Sequence, residues 1–386
     1  MKTLNVGLIG YKFMGKAHSS GWNRAGMFFK PTAKIGMKAI CGRDAKWVEE
    51  SRAQYGWDSA ETSWEKLVSR KDIDLVDIAT PSNAHKEIAL RAAAEGKHVF
   101  CEKPLALTLA DAREMLDAAQ KAGIAHQVGF NYRFCPAVVL AKQLIQQGKL
   151  GTLYHFRGRF LQDWIVDPEF PLVWRLDKKV AGSGSLGDLG AHVIDLARYL
   201  FSEFESVTGT SRTFVKERPI VERMEGLSGK AGQGAPRGKV TVDDATLFLI
   251  QFKNGGLGQI EATRFAQGHR CDMGFEINGS KGSIRFDFER MNELYYYSAD
   301  DAPGTQGFRL IQATEGSHPY MQAWWPAGHV IGYDTTFVHE LYEFAEAIAL
   351  NKPACPDFAD GVACCRILEA VDRSIERKTW VVVDSL

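Results

Sequence analysis

The sequence predicts a doubly wound α/β domain followed by an α+β domain built on a large, mostly antiparallel, open-faced sheet. Three observations carry this. Short apolar strands alternate with helices from residue 4 to residue 130, a glycine turn separates the first strand from the first helix, and long alternating runs take over after residue 130. Strands that alternate with helices imply a parallel sheet. A chain of 386 residues is too long for one ordinary core and suits two domains, placed here at 1–130 and 131–386.

The elements follow from pattern and punctuation. Residues 4–9 (LNVGLI), 35–41 (IGMKAIC), 74–79, 97–101 and 125–130 read as the strands of the first domain. Helices are expected from Met14 onward and over 44–55, 62–70, 84–95 and 108–122, the last with Thr108 as N-cap and Gly123 as its stop. In the second domain, 136–147, 187–201, 334–350 and 358–377 read as helices, and the last is expected to pack back towards the first domain. Alternating runs at 153–161, 206–217, 242–253, 256–265, 272–278 and 282–288 read as strands with helices on one face, and 379–383 closes the chain. Residues 226–239, rich in Gly and Lys, read as a mobile surface loop.

Composition narrows the function classes. Lys plus Arg (47) equals Asp plus Glu (47), so charge gives no case for nucleic acid or an anionic membrane as partner. The N-terminal apolar stretch runs straight into a glycine turn and is too short for a signal peptide, and no run reaches the ~20 apolar residues of a membrane span. Seven cysteines without a C-x-x-C pair read as reduced thiols, and the expected location is the cytoplasm.

Gly10-Tyr11-Lys12-Phe13-Met14-Gly15 stands between strand and helix, the context of a dinucleotide-binding turn and so of a Rossmann domain. Gly10 permits the tight turn and Gly15 close helix–strand packing, while the helix N-terminus offers N–H groups to a pyrophosphate. Lys12 occupies the place of the middle glycine. Selection of NAD usually rests on an acid after the second strand, where this chain has Gly42, followed by Arg43 and Asp44. Arg43 would suit the 2′-phosphate of NADP and Asp44 a ribose, so NAD and NADP both remain open.

Two further clusters point to chemistry. Cys101-Glu102-Lys103-Pro104 ends a strand at the edge where open α/β sheets bind ligands, and Pro104 stiffens the presentation of the Lys103 cation. Gly182 to Asp195 opens a helix on which Asp188, His192 and Asp195 share one face. The ordinary reading makes Lys103 a surface lysine, Asp188 a helix-start carboxylate, His192 a core residue and Asp195 a solvated charge. A histidine flanked by carboxylates after a glycine-rich approach favours a proton-transfer site instead. A lysine and a histidine meet the needs of alcohol oxidation, which must remove a hydroxyl proton and stabilise developing alkoxide charge. The Cys and His spacings match no zinc motif, and no metal is expected.

These segments together resemble the glucose–fructose oxidoreductase/inositol dehydrogenase (Gfo/Idh/MocA) family over nearly the whole chain. The resemblance lies in LIGYKFMGKAH, DIATPSNAHKEIALRAAAEGKHVFCEKPL, VGFNYR, GSGSLGDLGAHVIDLARYL, NGSKGSI and PDFADGVACCRILEAVDRS. FLQDW and LVWR look most like its levoglucosan, inositol and glucoside 3-dehydrogenase branches. The resemblance implies an oxidoreductase that uses NAD or NADP to oxidise a secondary hydroxyl of a cyclic sugar or polyol, of inositol, levoglucosan or glucoside type, to a ketone. It implies Lys103 and His192 as catalytic groups and Asp188 as the partner of His192 that also touches substrate. It also implies a cofactor site of Gly10, Lys12, Phe13, Met14, Gly15, Gly42, Arg43, Thr80, Pro81, Asn83, His85, Glu102, Lys103, Asn131, Trp174 and Arg175. Tyr132, Arg133, Gln162, Asp163, Trp164, Arg264 and Tyr333 join Lys103, Asp188 and His192 on the substrate side, and the Lys103–Pro104 bond is expected to be cis. Relatives commonly pair through the open sheet face, so a homodimer or homotetramer is expected. The competing functions are an NAD-dependent glycosidase or lyase that oxidises its sugar transiently, and a non-catalytic nucleotide sensor. Retention of Lys103, Asp188 and His192 speaks against the sensor.

Overall fold

A computed structural model of the chain describes residues 3–221 and 234–386. The chain divides into two compact units, and the division is not a single cut. Met1–Phe134 with Gly332–Cys365 form one, Cys135–Ile331 with Arg366–Leu386 the other.

In the first unit, the order is β1 (Thr3–Ile9), α1 (Phe13–Phe28), β2 (Lys34–Cys41), α2 (Ala45–Tyr55), β3 (Ser59–Glu61), α3 (Trp64–Ser69), β4 (Leu75–Ile78), α4 (His85–Ala94), β5 (His98–Glu102), α5 (Leu109–Ala122) and β6 (His126–Gly129). The six strands are parallel, in the order β3-β2-β1-β4-β5-β6. Winding outward in both directions from β1 creates a switch point between β1 and β4, where such sheets bind dinucleotides. Local chemistry sets the ends. Asp44 accepts the N–H groups of Lys46 and Trp47 to start α2, Thr108 accepts that of Asp111 to start α5, and Gly56 and Gly123 end the two helices in the left-handed region.

The core of this unit includes Leu4, Val6, Leu8, Trp22, Leu75 and Phe100, and residues far downstream complete it. Leu341 and Phe344, on the helix Asp334–Ala349, pack into the same cluster. Gly21 makes that approach possible, because a Cβ there would lie 2.7 Å from the Leu341 side chain and 3.2 Å from the Phe337 carbonyl. The helix Phe358–Arg377 begins in this unit, with Gly361 against Leu105 and Val128 and the Cys365 thiol 3.7 Å from the Ala106 carbonyl.

The second unit contains α6 (Pro136–Gln146), β7 (Leu153–Leu161), α7 (Lys178–Ala181), α8 (Ala191–Leu200), β8 (Phe204–Arg212), β9 (Glu217–Pro219), β10 (Arg237–Lys239), β11 (Ala245–Phe252), β12 (Leu257–Thr263), β13 (Asp272–Gly279), β14 (Gly282–Asp287), β15 (Glu293–Ser298), β16 (Arg309–Gln312) and β17 (Val381–Val382). Nine strands form one sheet in the order β16-β15-β14-β13-β7-β12-β11-β8-β17, antiparallel except where β12 runs parallel to β7. Alternation is clean in β11, where Phe248, Ile250 and Phe252 are buried while Leu247 and Leu249 are exposed. The buried face carries Phe156, Phe252, Phe275 and Phe286, and α8 lies on it. Gly158 lets the helix close on β7, since a Cβ there would sit 2.3 Å from Val193.

Some expected boundaries need correction. The run 206–217 is two elements, because the chain leaves the sheet after Arg212, where the Asp244 carboxylate accepts the Phe214 and Val215 N–H groups. The stretch expected as a mobile loop over 226–239 lies partly outside the described residues, and its end, Arg237–Lys239, is strand β10 paired with β9. Strands β3, β15 and β16 were not expected from the sequence. Each is short or lies towards a sheet edge, where hydrophobic alternation is weak.

One partly buried acid gives a pH-dependent expectation. Burial pushes the Asp372 carboxyl up to about 6, reinforced by Asp243, Glu376 and Glu369 and opposed by Lys178. A carboxyl whose folded pKa exceeds its unfolded value makes the native state bind more protons, so stability falls as pH rises from about 4 to about 6. Asp372→Asn is therefore expected to stabilise the protein by at most about 3 kcal/mol above pH 6 and to change little at pH 4. Thermal midpoints of both proteins across that range check it.

Candidate active site

The glycine turn is shaped by close backbone approach. Gly10 has φ 118°, and a Cβ there would lie 2.4 Å from the Ala79 carbonyl oxygen. A Cβ on Gly15 would lie 2.1 Å from the Gly10 carbonyl oxygen. No side chain caps the N-terminus of α1, so its first-turn N–H groups face outward uncapped beside exposed Lys12 and Phe13. The Thr80 hydroxyl is buried with no hydrogen-bond partner among the described residues. A cradle that excludes side chains, an uncapped helix terminus and an orphaned hydroxyl at the switch point fit a dinucleotide.

At the adenosine end, the Tyr11 ring lies where a side chain on residue 42 would project, 2.0 Å from a Cβ built there. An acid at 42 would collide with it. Arg43 is exposed, and Asp44 uses one carboxylate oxygen to cap α2. His85 ties the Thr80–Pro81 loop to the lysine turn, with Nε2 3.0 Å from the Thr80 carbonyl and Nδ1 3.1 Å from that of Pro104. Burial lowers its pKa, opposed by the Thr80 and Pro104 carbonyls that it faces and by Glu102. Asn83 lies in the 3-10 turn Ser82–Ala84 between them.

The Lys103–Pro104 bond is cis. The Lys103 N–H donates to Glu102 Oε2 at 3.2 Å, and Glu102 Oε1 is 3.0 Å from His18 Nε2. His18 is fully buried, with Nδ1 2.8 and 3.0 Å from the two oxygens of Asp77, and Asp77 also accepts the Trp22 indole N–H at 2.7 Å. Burial alone would lower the His18 pKa, but Asp77 and Glu102 overcome it and hold the ring well above its ordinary value. The sequence reading missed His18 because its partners lie 59 and 84 residues away. Its one signal is a His and a Trp four residues apart on the buried face of α1.

Also in this unit, Asn131 donates to the Thr336 hydroxyl at 2.8 Å, and Tyr333 stacks edge-on against Phe337. Tyr132 is buried. Arg133 is buried as well, its guanidinium 3.2 Å from Asp360 and 3.6 Å from the Cys355 sulfur. Those contacts give Arg133 a role inside the unit.

The second unit holds Asp188 and His192. Asp188 lies in a π-helical turn, Leu186–Gly190, that leads into α8, and His192 is buried in the first turn of α8, its ring 6.1 Å from that of Phe160. π-turns concentrate at functional sites. Asp195 is buried too, not a solvated charge. Asp188 Oδ2 accepts from Arg264 Nη2 at 2.8 Å and lies 4.0 Å from Arg175 Nε. Arg264 is fully buried and also donates to the Gly184 carbonyl, so the structure sets it behind Asp188.

Its guanidinium lies over the Trp164 ring, and Trp164 donates to the Gln162 side chain at 2.9 Å. Arg175 stacks on half-exposed Trp174 at 4.5 Å. The Asp163 carboxylate is taken up by the Gly268 N–H and by Arg270. Asp243, also missed by the sequence reading, pins the glycine-rich approach by accepting from Gly184 N, Ser185 Oγ, Leu186 N and Thr246 Oγ1. Among the described residues, no group of three His, Cys, Asp or Glu is placed to hold a metal ion, and no helix is long and apolar enough to cross a membrane.

Comparison with known proteins identifies the family. Residues 4–130 match the oxidoreductase family with the NAD-binding Rossmann fold, and residues 138–285 match the Gfo/Idh/MocA C-terminal domain. Levoglucosan dehydrogenase from Pseudarthrobacter phenanthrenivorans is 42% identical over 389 residues, covering all of both chains. A solved structure of levoglucosan dehydrogenase in complex with NADH and levoglucosan superposes with a TM-score of 0.94 at 42% identity, over 100% of each chain. That of an oxidoreductase domain protein from Kribbella flavida gives 0.94 at 48% identity, over 99% of this chain and 100% of that one. The chain belongs to the Gfo/Idh/MocA oxidoreductase family. It is an oxidoreductase with an NAD-binding Rossmann domain followed by a mostly antiparallel sheet domain.

Proposed function

We propose that the protein oxidises a secondary hydroxyl of a cyclic sugar or polyol to a ketone, with levoglucosan first among substrates and NAD as the preferred acceptor. The observation that supports this most is full-length likeness to levoglucosan dehydrogenase in a chain that keeps Lys103, Asp188 and His192. Gly10, Gly15, the first turn of α1 and Thr80 hold the cofactor, whose nicotinamide supplies the hydride acceptor when bound. Lys103 and His192 are the proton-transfer groups: the ammonium of Lys103 stabilises negative charge growing on the substrate oxygen, and the His192 imidazole takes the hydroxyl proton. Asp188, held by Arg264, orients His192 and accepts a substrate hydroxyl. Gln162 and Trp164 form the sugar-facing surface around it.

A panel of levoglucosan, inositols, glucosides and free aldoses, offered with NAD and NADP in parallel and read at 340 nm, tests the reading. Net NADH formation with a free cyclic alcohol is the expected result. Glycoside cleavage without net reduced cofactor would point to a glycosidase or lyase instead.

The same reading includes a homodimer or homotetramer. On the open face of the nine-stranded sheet, Leu247, Leu249, Leu257 and Leu310 are each about half exposed around the Arg157–Glu276 pair. Light scattering is expected to give a mass at least twice 42.9 kDa, and a single monomeric mass would exclude assembly.

A further inference from the structure

Behind the lysine turn lies a group of ionisable side chains that the proposed chemistry does not use. His18 comes from α1, Asp77 from β4, Glu102 from the end of β5 and Glu340 from the Asp334–Ala349 helix, and all four are buried. The Phe100 and Phe337 rings close over His18 at 5.4 and 5.8 Å, and the Trp22 indole fixes Asp77. Gly129 leaves space for Glu102, since a Cβ there would meet Oε1 at 2.9 Å. The Glu340 carboxyl has no hydrogen-bond partner among the described residues, and burial, reinforced by Glu102 and Asp77 and opposed by His18, raises its pKa well above the ordinary carboxylate value. A buried ionic group of this kind is a poor source of stability, because packed apolar side chains of similar volume do as well or better. Its geometry is directional, however. His18 Nε2 holds one Glu102 oxygen and the other Glu102 oxygen holds the Lys103 N–H, so α1, the helix that opens the cofactor turn, is tied to the backbone of the lysine.

We propose that His18 is a positioning residue for Lys103, acting through Glu102. The inference rests on the reading of Lys103 as a proton-transfer group. Asp77 and Trp22 orient the imidazole, the imidazole orients Glu102, and Glu102 sets the start of the lysine turn from inside the sheet. Ser19 of α1 accepts the Trp57 indole N–H at 2.9 Å, a second tie for the cofactor helix that does not involve His18.

A double-mutant cycle tests this on the full-length enzyme, with NAD and whichever panel alcohol forms NADH fastest. His18→Leu is expected to lower kcat about 30- to 100-fold, with the dissociation constant for NADH within about threefold of the parent. In a Lys103→Ala background, measured in single turnover with enzyme in excess so that slow rates stay readable, the same substitution should cost less than about threefold more. Equal losses in both backgrounds, or a His18→Leu kcat within twofold of the parent, overturn the inference, since a merely structural residue costs the same whether or not Lys103 is present. If His18→Leu does not fold by circular dichroism, Glu102→Gln, which keeps the size and one acceptor oxygen, decides by the same cycle with an expected loss of about tenfold. Undiminished turnover in Lys103→Ala alone is a separate result, and it removes the reading beneath this one.

Discussion

Lys103→Ala is expected to lower kcat and kcat/KM together, by about 100- to 10,000-fold, while NADH still binds. The direction follows from what alcohol oxidation requires. Charge develops on the substrate oxygen as its proton and the carbon-bound hydride leave, and a fixed cation matters most when that charge is largest. Lys103 stands directly after the last residue of β5, at the carboxyl edge of a parallel sheet, where ligands of such sheets gather. Its backbone is held by Glu102 and its turn by His85, so the cation is presented by rigid structure. Stopped-flow kinetics with the best panel alcohol, and NADH fluorescence titration, separate turnover from binding. A variant that turns over at the parent rate would refute the assignment of Lys103.

Gly15→Ala should abolish tight cofactor binding, raising the dissociation constant for NADH at least about 100-fold, which corresponds to roughly 3 kcal/mol. The added methyl would lie 2.1 Å from the Gly10 carbonyl oxygen and 2.7 Å from its carbon. Both atoms are backbone, so strand, turn and helix must separate, and the N–H groups at the start of α1 move with them. Overpacking of this kind also costs about 1–3 kcal/mol of stability. Gly26→Ala in the same helix is the control. No atom lies within 4 Å of a Cβ there, and replacing an interior helical glycine should stabilise the protein by about 0.5–1 kcal/mol. Isothermal titration with NADH, together with thermal melts of both variants, makes the comparison.

Elements of strong period and clear punctuation were legible in the sequence. Helix Phe358–Arg377 and strand Leu153–Leu161 lie where the pattern put them, and Thr108 and Gly123 bound α5 as their chemistry requires. The strand β15, ELYYYS, escaped notice because its alternation sets tyrosines against one another and offers little contrast between faces. The candidate site residues were drawn from local motifs, each of them contiguous in sequence. His18 and Asp243 were not, because what defines them is contact between distant segments: His18 sits mid-helix without a neighbouring charge, and Asp243 meets Ser185 across 58 residues. Arg264 was visible as a charge, but only packing reveals that it lies buried behind Asp188.

The late completion of the first unit bears on how the chain is made. Leu341 and Phe344 belong to the core that begins at Leu4, so the N-terminal sheet leaves the ribosome with one part of its apolar surface uncovered. At about 5–20 residues per second, the roughly 200 residues between Phe134 and Gly332 take on the order of 10–40 s to emerge. Through that interval Trp22 and Phe100 lack part of their cover, and a nascent chain in that state is a natural client for chaperones. Excising residues 1–130 as a nucleotide-binding module would make the same exposure permanent. A circular permutant that begins at Gly332 and links residue 386 to residue 1 would deliver 332–365 ahead of the N-terminal sheet, so the domain could close as it is translated.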